Sequence, residues 1–277
     1  MLHATWNTIE KSPSMMGLYR TYRRLPEAIR VPARWMLMPR WQLLCASVRR
    51  RAMNRVQSGP FAGMNLELTP LSNRNLLGYL LGTHELELHP VVETIIARNY
   101  PRIVNIGAAD GYYALGLARR MANAVVEAYE ALEQHHALLR NAAERNGVAD
   151  RVWLRGLCTI DSLNESLGDG TGKVFVLADI EGAEMQLLNP VKVPALRKTD
   201  MLIETHDVLQ PGCSDCLKQR FSETHLIEIV PTRPRKLADL PRQAIPGWAG
   251  SMHALLVELM NERRMGKQEW MFLSAKA

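Results

Sequence analysis

Long apolar runs are missing from this chain of 277 residues. None approaches the roughly 20 residues that a membrane-spanning helix needs, and the opening MLHATWNTIEK lacks the apolar centre of a signal peptide. Cysteine is scarce. Four residues, Cys45, Cys158, Cys213 and Cys216, do not suggest a secreted disulfide scaffold in a chain this long, so a reducing cytoplasm is the expected compartment. Cys213-Ser-Asp-Cys216 has the spacing of half a zinc site, but no second pair follows and His225 alone does not complete one, so these read as plain loop thiols. Internal repeats and low-complexity segments are absent too. The apolar fraction of 47% is ordinary for a sizeable globular core, and the length suits one large α/β domain with an extension.

Acids are nearly lacking at one end. Residues 1–60 hold eleven Lys or Arg against Glu10 and Glu27, a net of +9, which leaves −3 for the remainder. The spacing predicts a basic helical arm over 1–60 and a separate domain over 61–277. Pro13, Pro26, Pro32 and Pro39 should cut the arm into short helices. After Pro39, the residues Trp41, Leu44, Cys45, Val48 and Ala52 share one face, beside Arg49, Arg50, Arg51 and Arg55. Such an arm packs on its own domain, forms a homodimer, or meets a membrane surface or another anionic partner. Ser58-Gly-Pro60 is the expected hinge.

The organising stretch is Arg102–Glu130. An apolar run through Ile106 meets Gly107, turns through Ala108, Ala109 and Asp110 to Gly111, and becomes helical from Tyr112. A second β-like run, Val125–Tyr129, ends on Glu130. Strand, glycine turn, helix, strand and terminal acid make half of a doubly wound α/β unit. The glycines let backbone approach a ligand and the helix N-terminus offers free N–H groups, while Glu130 can accept from a ribose diol. A dinucleotide fold would need G-x-G-x-x-G; the middle and third glycines are missing here. The spacing Gly107-Ala-Ala-Asp-Gly111 is instead similar to motif I of class I S-adenosylmethionine-dependent methyltransferases.

Further strands are expected at 152–157, 174–177, 201–204, 225–230 and 269–274, and helices at 89–99, 134–145, 161–167, from Met185, 217–221 and 252–263. The run Val174–Leu177 is apolar throughout, as in the middle of a parallel sheet. It ends in Asp179-Ile-Glu-Gly-Ala-Glu184, three acids at the carboxyl end of a buried strand, where open α/β sheets bind ligands. Glu181 and Glu184 would also suit the dipole of the helix that follows.

Here the chain resembles the FkbM-type methyltransferase family. That family's pattern is a strand ending in Asp, a hydrophobic residue, then Glu-Gly-Ala-Glu, matched by Asp179–Glu184. Its first motif matches Val104–Tyr113, and its Glu-hydrophobic-His strand end looks like Glu204-Thr205-His206. Gly82-Thr83-His84-Glu85 resembles the family's Gly-Thr-Tyr-Glu, and Thr159-Ile-Asp-Ser-Leu163 its Thr-Leu-Asp-Ser-Leu. The match covers about residues 80–207 and stops short of the arm. Three departures stand out: Asn105 replaces the acid usual before the motif I glycine, Ala178 replaces a lysine, and the stretch between the third and fourth strands is short.

The resemblance implies a doubly wound, seven-stranded Rossmann-like methyltransferase sheet with its last strand antiparallel. It implies S-adenosyl-L-methionine as cofactor, held by Glu85, Asn105, Gly107, Ala108, Asp110, Gly111, Tyr112, Glu130 and Asp179. The expected reaction is O-methylation of a small metabolite or sugar. A hydroxyl acceptor must lose its proton as it attacks, and two candidates end strands beside the crevice: His206, which titrates near neutral pH, and Asp179. Alternatively Asp179, Glu204 and Asp207 would hold Mg²⁺. Two rival functions stay open: methylation of RNA or protein docked on the arm, and cofactor binding without catalysis.

Overall fold

The computed structural model describes residues 12–67, 76–262, 264 and 268–276; residues 1–11 of the arm and Arg263, at the expected end of the last helix, lie outside them. Three helices open the chain: α1 (Pro13–Arg24), α2 (Glu27–Leu37) and α3 (Pro39–Ala52). Ser12 caps α1, its side chain accepting from Met15 N at 3.4 Å. Pro13 and Pro39 start helices, where a missing N–H costs nothing. Pro32 departs from expectation: it sits inside α2, which forgoes one intrahelical bond without ending. Helices α4 (Leu76–Leu81) and α5 (His89–Arg98) follow and lead into the sheet.

From Arg102 strands and helices alternate: β1 (Arg102–Ile106), α6 (Tyr112–Arg120), β2 (Val125–Tyr129), α7 (Glu133–Arg145), β3 (Val152–Arg155), α8 (Ile160–Leu167) and β4 (Val174–Ala178). Then come α9 (Glu184–Leu187), β5 (Asp200–Thr205), α10 (Cys213–Phe221), β6 (His225–Pro231), α11 (His253–Leu259) and β7 (Glu269–Ala275). The strand order is β3-β2-β1-β4-β5-β7-β6. The pairs from β3 to β5 are parallel, and β7 runs antiparallel to both β5 and β6. This is a Rossmann-like sheet of seven strands with one antiparallel member.

Successive side chains point to opposite faces, so the sheet has two cores. Ile103, Leu177 and Leu202 meet α5, α6 and α7 on one face; Val104, Val176 and Ile203 meet α8 and α10 on the other. Strand β4 is buried at every position, whereas edge strand β6 alternates, as a doubly covered centre and a half-solvated edge require.

Two expectations change here. The helix after Glu184 is a single turn, because Pro190 and Pro194 stop it before a 3₁₀ segment at Pro194–Lys198. Cys213 and Cys216 lie on α10 and not in a loop, with Cys213 buried in the second core.

The arm divides. Leu44, Val48 and Ala52 of α3 are buried, the first two in a third core with Leu81, Leu240 and Leu256. Ser58–Pro60, expected as a hinge, is tied down: Ser58 Oγ donates to Leu81 O at 2.6 Å, and a Cβ on Gly82 would lie 1.9 Å from Ser58 O. Among the described side chains of residues 12–38, none is buried.

Candidate active site

Strand order reverses between β1 and β4, opening a crevice at their carboxyl ends. Two backbone features join its walls. Asp179 N donates to Ile106 O at 3.0 Å. Gly107 has φ +81°, and a Cβ there would stand 1.7 Å from Asp179 O. Only glycine lets the β1 turn pass this close to the end of β4.

The turn itself is held from below. Gly107 N and Ala108 N both donate to Tyr129 O at 2.9 Å, and Gly111 N to Ala108 O at 2.8 Å. Ala109 is left-handed at φ +45°, a conformation that costs a side-chain-bearing residue about 1–2 kcal/mol. Glu130 offsets it by accepting from Ala109 N at 2.7 Å, while its other oxygen accepts from Leu132 N at 2.7 Å. Glu130 therefore stands at the end of β2 as expected, but each oxygen already carries one backbone bond. A carboxylate has about four lone-pair sites, so capacity for two more donors remains. Asp110 pairs with His135 Nδ1 at 2.9 Å. Gly111, at φ +85°, caps α6, so that helix starts at Tyr112 without a side-chain cap. The Tyr112 ring stacks on Tyr79, with centroids 4.6 Å apart.

Asn105 is buried, yet neither its amide nitrogen nor its oxygen has a partner among the described residues. Leaving such a group unsatisfied costs about 1–3 kcal/mol, and it stands two residues before the glycine turn. Orphaned polarity at that place fits a site whose ligand supplies donors and acceptors.

Carboxylates gather on the β4–β5 side. His206, 1% exposed, follows β5; its Nε2 lies 3.6 Å from Asp179 Oδ1 and 3.5 Å from Glu204 Oε2. Its Nδ1 bonds Glu184 Oε1 at 2.5 Å. Burial works against charge on the ring, but the Glu184 bond and the Glu204 and Glu181 charges outweigh it and raise the imidazole above its usual range. Asp179 is 34% exposed at the crevice. Desolvation and the facing carboxylates of Glu204, Glu85 and Glu181 push it well above the usual carboxylate range. Glu204, more deeply buried, is raised to about 6 by desolvation and Glu85, against the pull of Arg264.

Glu184 opens α9, but its side chain turns inward to His206 and to Gly182 N at 3.2 Å, so it does more than favour the helix dipole. Glu181 is left-handed at φ +53° and exposed. Together with Asp179 and His206 it could hold a divalent ion, their ligand atoms lying within 4.8 Å of one another. Asp207 is directed elsewhere: both its oxygens are taken by Ser214, at the start of α10.

Glu85 joins the same cluster from the other wall, accepting from Tyr113 Oη and Arg264 Nη2. Arg264 also binds Glu204, and its Nε reaches Glu262 at 2.7 Å. Glu262 accepts Glu85 N at 2.7 Å and Arg235 Nη2. Although burial opposes it, His84, Arg264 and Arg235 hold Glu262 at about 2. Sequence reasoning missed Arg264. Its only signal was the string Glu262-Arg263-Arg264 ending an apolar helix, a pattern equally suited to a solvated helix end.

No protein-family model matches the chain, and no curated protein matches it. Among solved structures it is similar to the O-methyltransferase from Bacillus cereus in complex with SAH, at 15% identity over 84% of this chain and 90% of that one, TM-score 0.44. It is similar also to the O-methyltransferase TomG from Streptomyces achromogenes, in complex with SAM, at 14% identity over 82% and 89%, TM-score 0.43. A third is the precorrin-6y C5,15-methyltransferase from Geobacter metallireducens, at 14% identity over 53% and 76%, TM-score 0.40. The fold assignment rests on the strand order and pairing of this chain.

Proposed function

We propose that this chain is an S-adenosylmethionine-dependent methyltransferase of FkbM type that methylates a hydroxyl of a small molecule. One observation carries the reading: the glycine turn after β1 and the Asp179–His206 cluster touch through Gly107 and Asp179 O, making one crevice of a cofactor cradle and a set of proton acceptors. Two of the solved structures that it resembles hold SAH or SAM, in keeping with that cofactor.

Asn105, the Gly107–Tyr112 turn and Glu130 would hold the cofactor. Asn105 brings its unpartnered amide, and Glu130 the lone pairs that Ala109 and Leu132 leave free. Glu85 and Asp110 act at one remove, since their carboxylates are already bound to Arg264 with Tyr113, and to His135. The bound cofactor supplies a methyl group on a sulfonium, already strongly electrophilic. What the protein adds is alignment and removal of the acceptor's proton. His206 Nε2 accepts that proton when the ring is neutral. Glu184 fixes the ring through Nδ1 and stabilises the imidazolium that forms. Asp179 stands on the same side, with its carboxyl raised by burial and the facing carboxylates, and can hydrogen-bond the acceptor oxygen.

The test is transfer of labelled methyl from S-adenosylmethionine into a pool of hydroxylated metabolites. His206→Asn should keep cofactor affinity and lower transfer by roughly 10²–10⁴-fold. Equal transfer by both proteins would remove His206 as base. A second reading rests on Asp179, Glu181 and His206 as a cation site. It predicts that EDTA abolishes transfer, that a divalent ion restores it, and that Asp179→Asn is then the more damaging change.

A further inference from the structure

Helices α1 and α2 carry large apolar side chains that the described residues leave exposed. None of the described side chains of residues 12–38 is buried, although both segments are amphipathic and rich in large apolar residues. On α2, Ile29, Pro32 and Met36 recur at helical spacing along one exposed side, and Met36 is 82% exposed. Trp35 stands beside them, and Leu18 and Leu25, seven residues apart, are exposed along α1 and its cap. A soluble monomer seldom leaves so many large apolar side chains in water on adjoining elements.

The charge on this surface is of one sign. Arg20 and Arg24 on α1 and Arg40 at the start of α3 are exposed, as are Arg49–Arg51 further along α3. Glu27 is the single acid between residues 11 and 66. A second copy of the chain would set this arginine-rich face against itself, which self-repulsion disfavours. A nucleic acid would satisfy the arginines, but Leu18, Ile29 and Met36 offer nothing to phosphates or base edges. Apolar side chains flanked by arginines, with a tryptophan among them, match a lipid surface bearing negative headgroups: acyl chains cover the first set and headgroups pair with the second.

We infer that α1 and α2 dock the protein on anionic membrane surfaces. Helix α3, anchored in the third core by Leu44 and Val48, ties this contact to the domain. The docking is independent of the transfer chemistry.

The full chain should co-sediment with vesicles of phosphatidylcholine and phosphatidylglycerol, about tenfold or more better than with phosphatidylcholine alone, and less well as salt rises. Ile29→Glu with Met36→Glu should abolish binding, and Arg20→Glu with Arg24→Glu should weaken it by about tenfold or more. All four positions are exposed, so circular dichroism should be unchanged. No sedimentation with anionic vesicles, equal sedimentation with neutral ones, or indifference to the glutamates would each overturn the inference. So would tight binding of single-stranded RNA that survives Ile29→Glu with Met36→Glu, or a vesicle-free dimer that these substitutions dissociate.

Discussion

Glu184 and His206 are 22 residues apart in sequence and 2.5 Å apart in the fold, and with His206 as the proposed base their pairing would set the pH at which it accepts a proton. Because the pair raises the imidazole, methyl transfer should climb with pH through a midpoint above the ordinary value near 6.5. Glu184→Gln keeps the shape but removes the charge, so the midpoint should fall; an unmoved midpoint in a pH–rate profile would detach Glu184 from the chemistry. The same shift acts on stability. A raised histidine contributes fully below its unfolded value, and that contribution is lost as pH rises through the folded one. Glu130 makes a second test. Glu130→Ala should weaken cofactor binding by about 1.5–3 kcal/mol, the value of a hydrogen bond to a charged group, with calorimetry as the measure. The acids at strand ends were legible in sequence because they interrupt apolar runs. Arg264 was not, since two of its three carboxylate partners, Glu85 and Glu204, come from distant segments that only the fold brings to it.

Strands β1, β2 and β4 could be read almost to the residue, because buried parallel strands are short apolar runs bounded by glycine or acids. The helix after Glu184 was overread: Met185, Leu187 and Leu188 have helical spacing, but the two prolines that follow allow one turn only. Helix α3 shows what periodicity does and does not say. The face through Leu44, Val48 and Ala52 was plain, yet not that Leu44 and Val48 pack with Leu240 and Leu256 from the far end of the chain. This makes a prediction for the arm. Leu44→Ala should destabilise the protein by about 2–5 kcal/mol in denaturant unfolding. Removal of residues 1–38, which include none of the described buried side chains, should leave the midpoint nearly where it was. A large loss of stability on that removal would show that the arm folds as part of the domain.

Across the whole molecule charge is divided by task. The arm is basic; the crevice is acidic, with Glu85, Asp179, Glu184 and Glu204 converging from the β1, β4 and β5 side of the sheet. Such a crevice favours a cofactor that brings positive charge. The sheet was legible in sequence because its strands and helices alternate locally; the convergence of its carboxylates was legible only in part, since register and chain reversal place them. By the proposed function, one crevice, from the β1 turn to the end of β4, receives the cofactor. Hydrogen exchange with and without S-adenosylhomocysteine measures this directly. New protection is expected at residues 105–113, 130–132 and 179–184 and nowhere else. Unchanged exchange at saturating ligand, or protection centred elsewhere on the sheet, would contradict it.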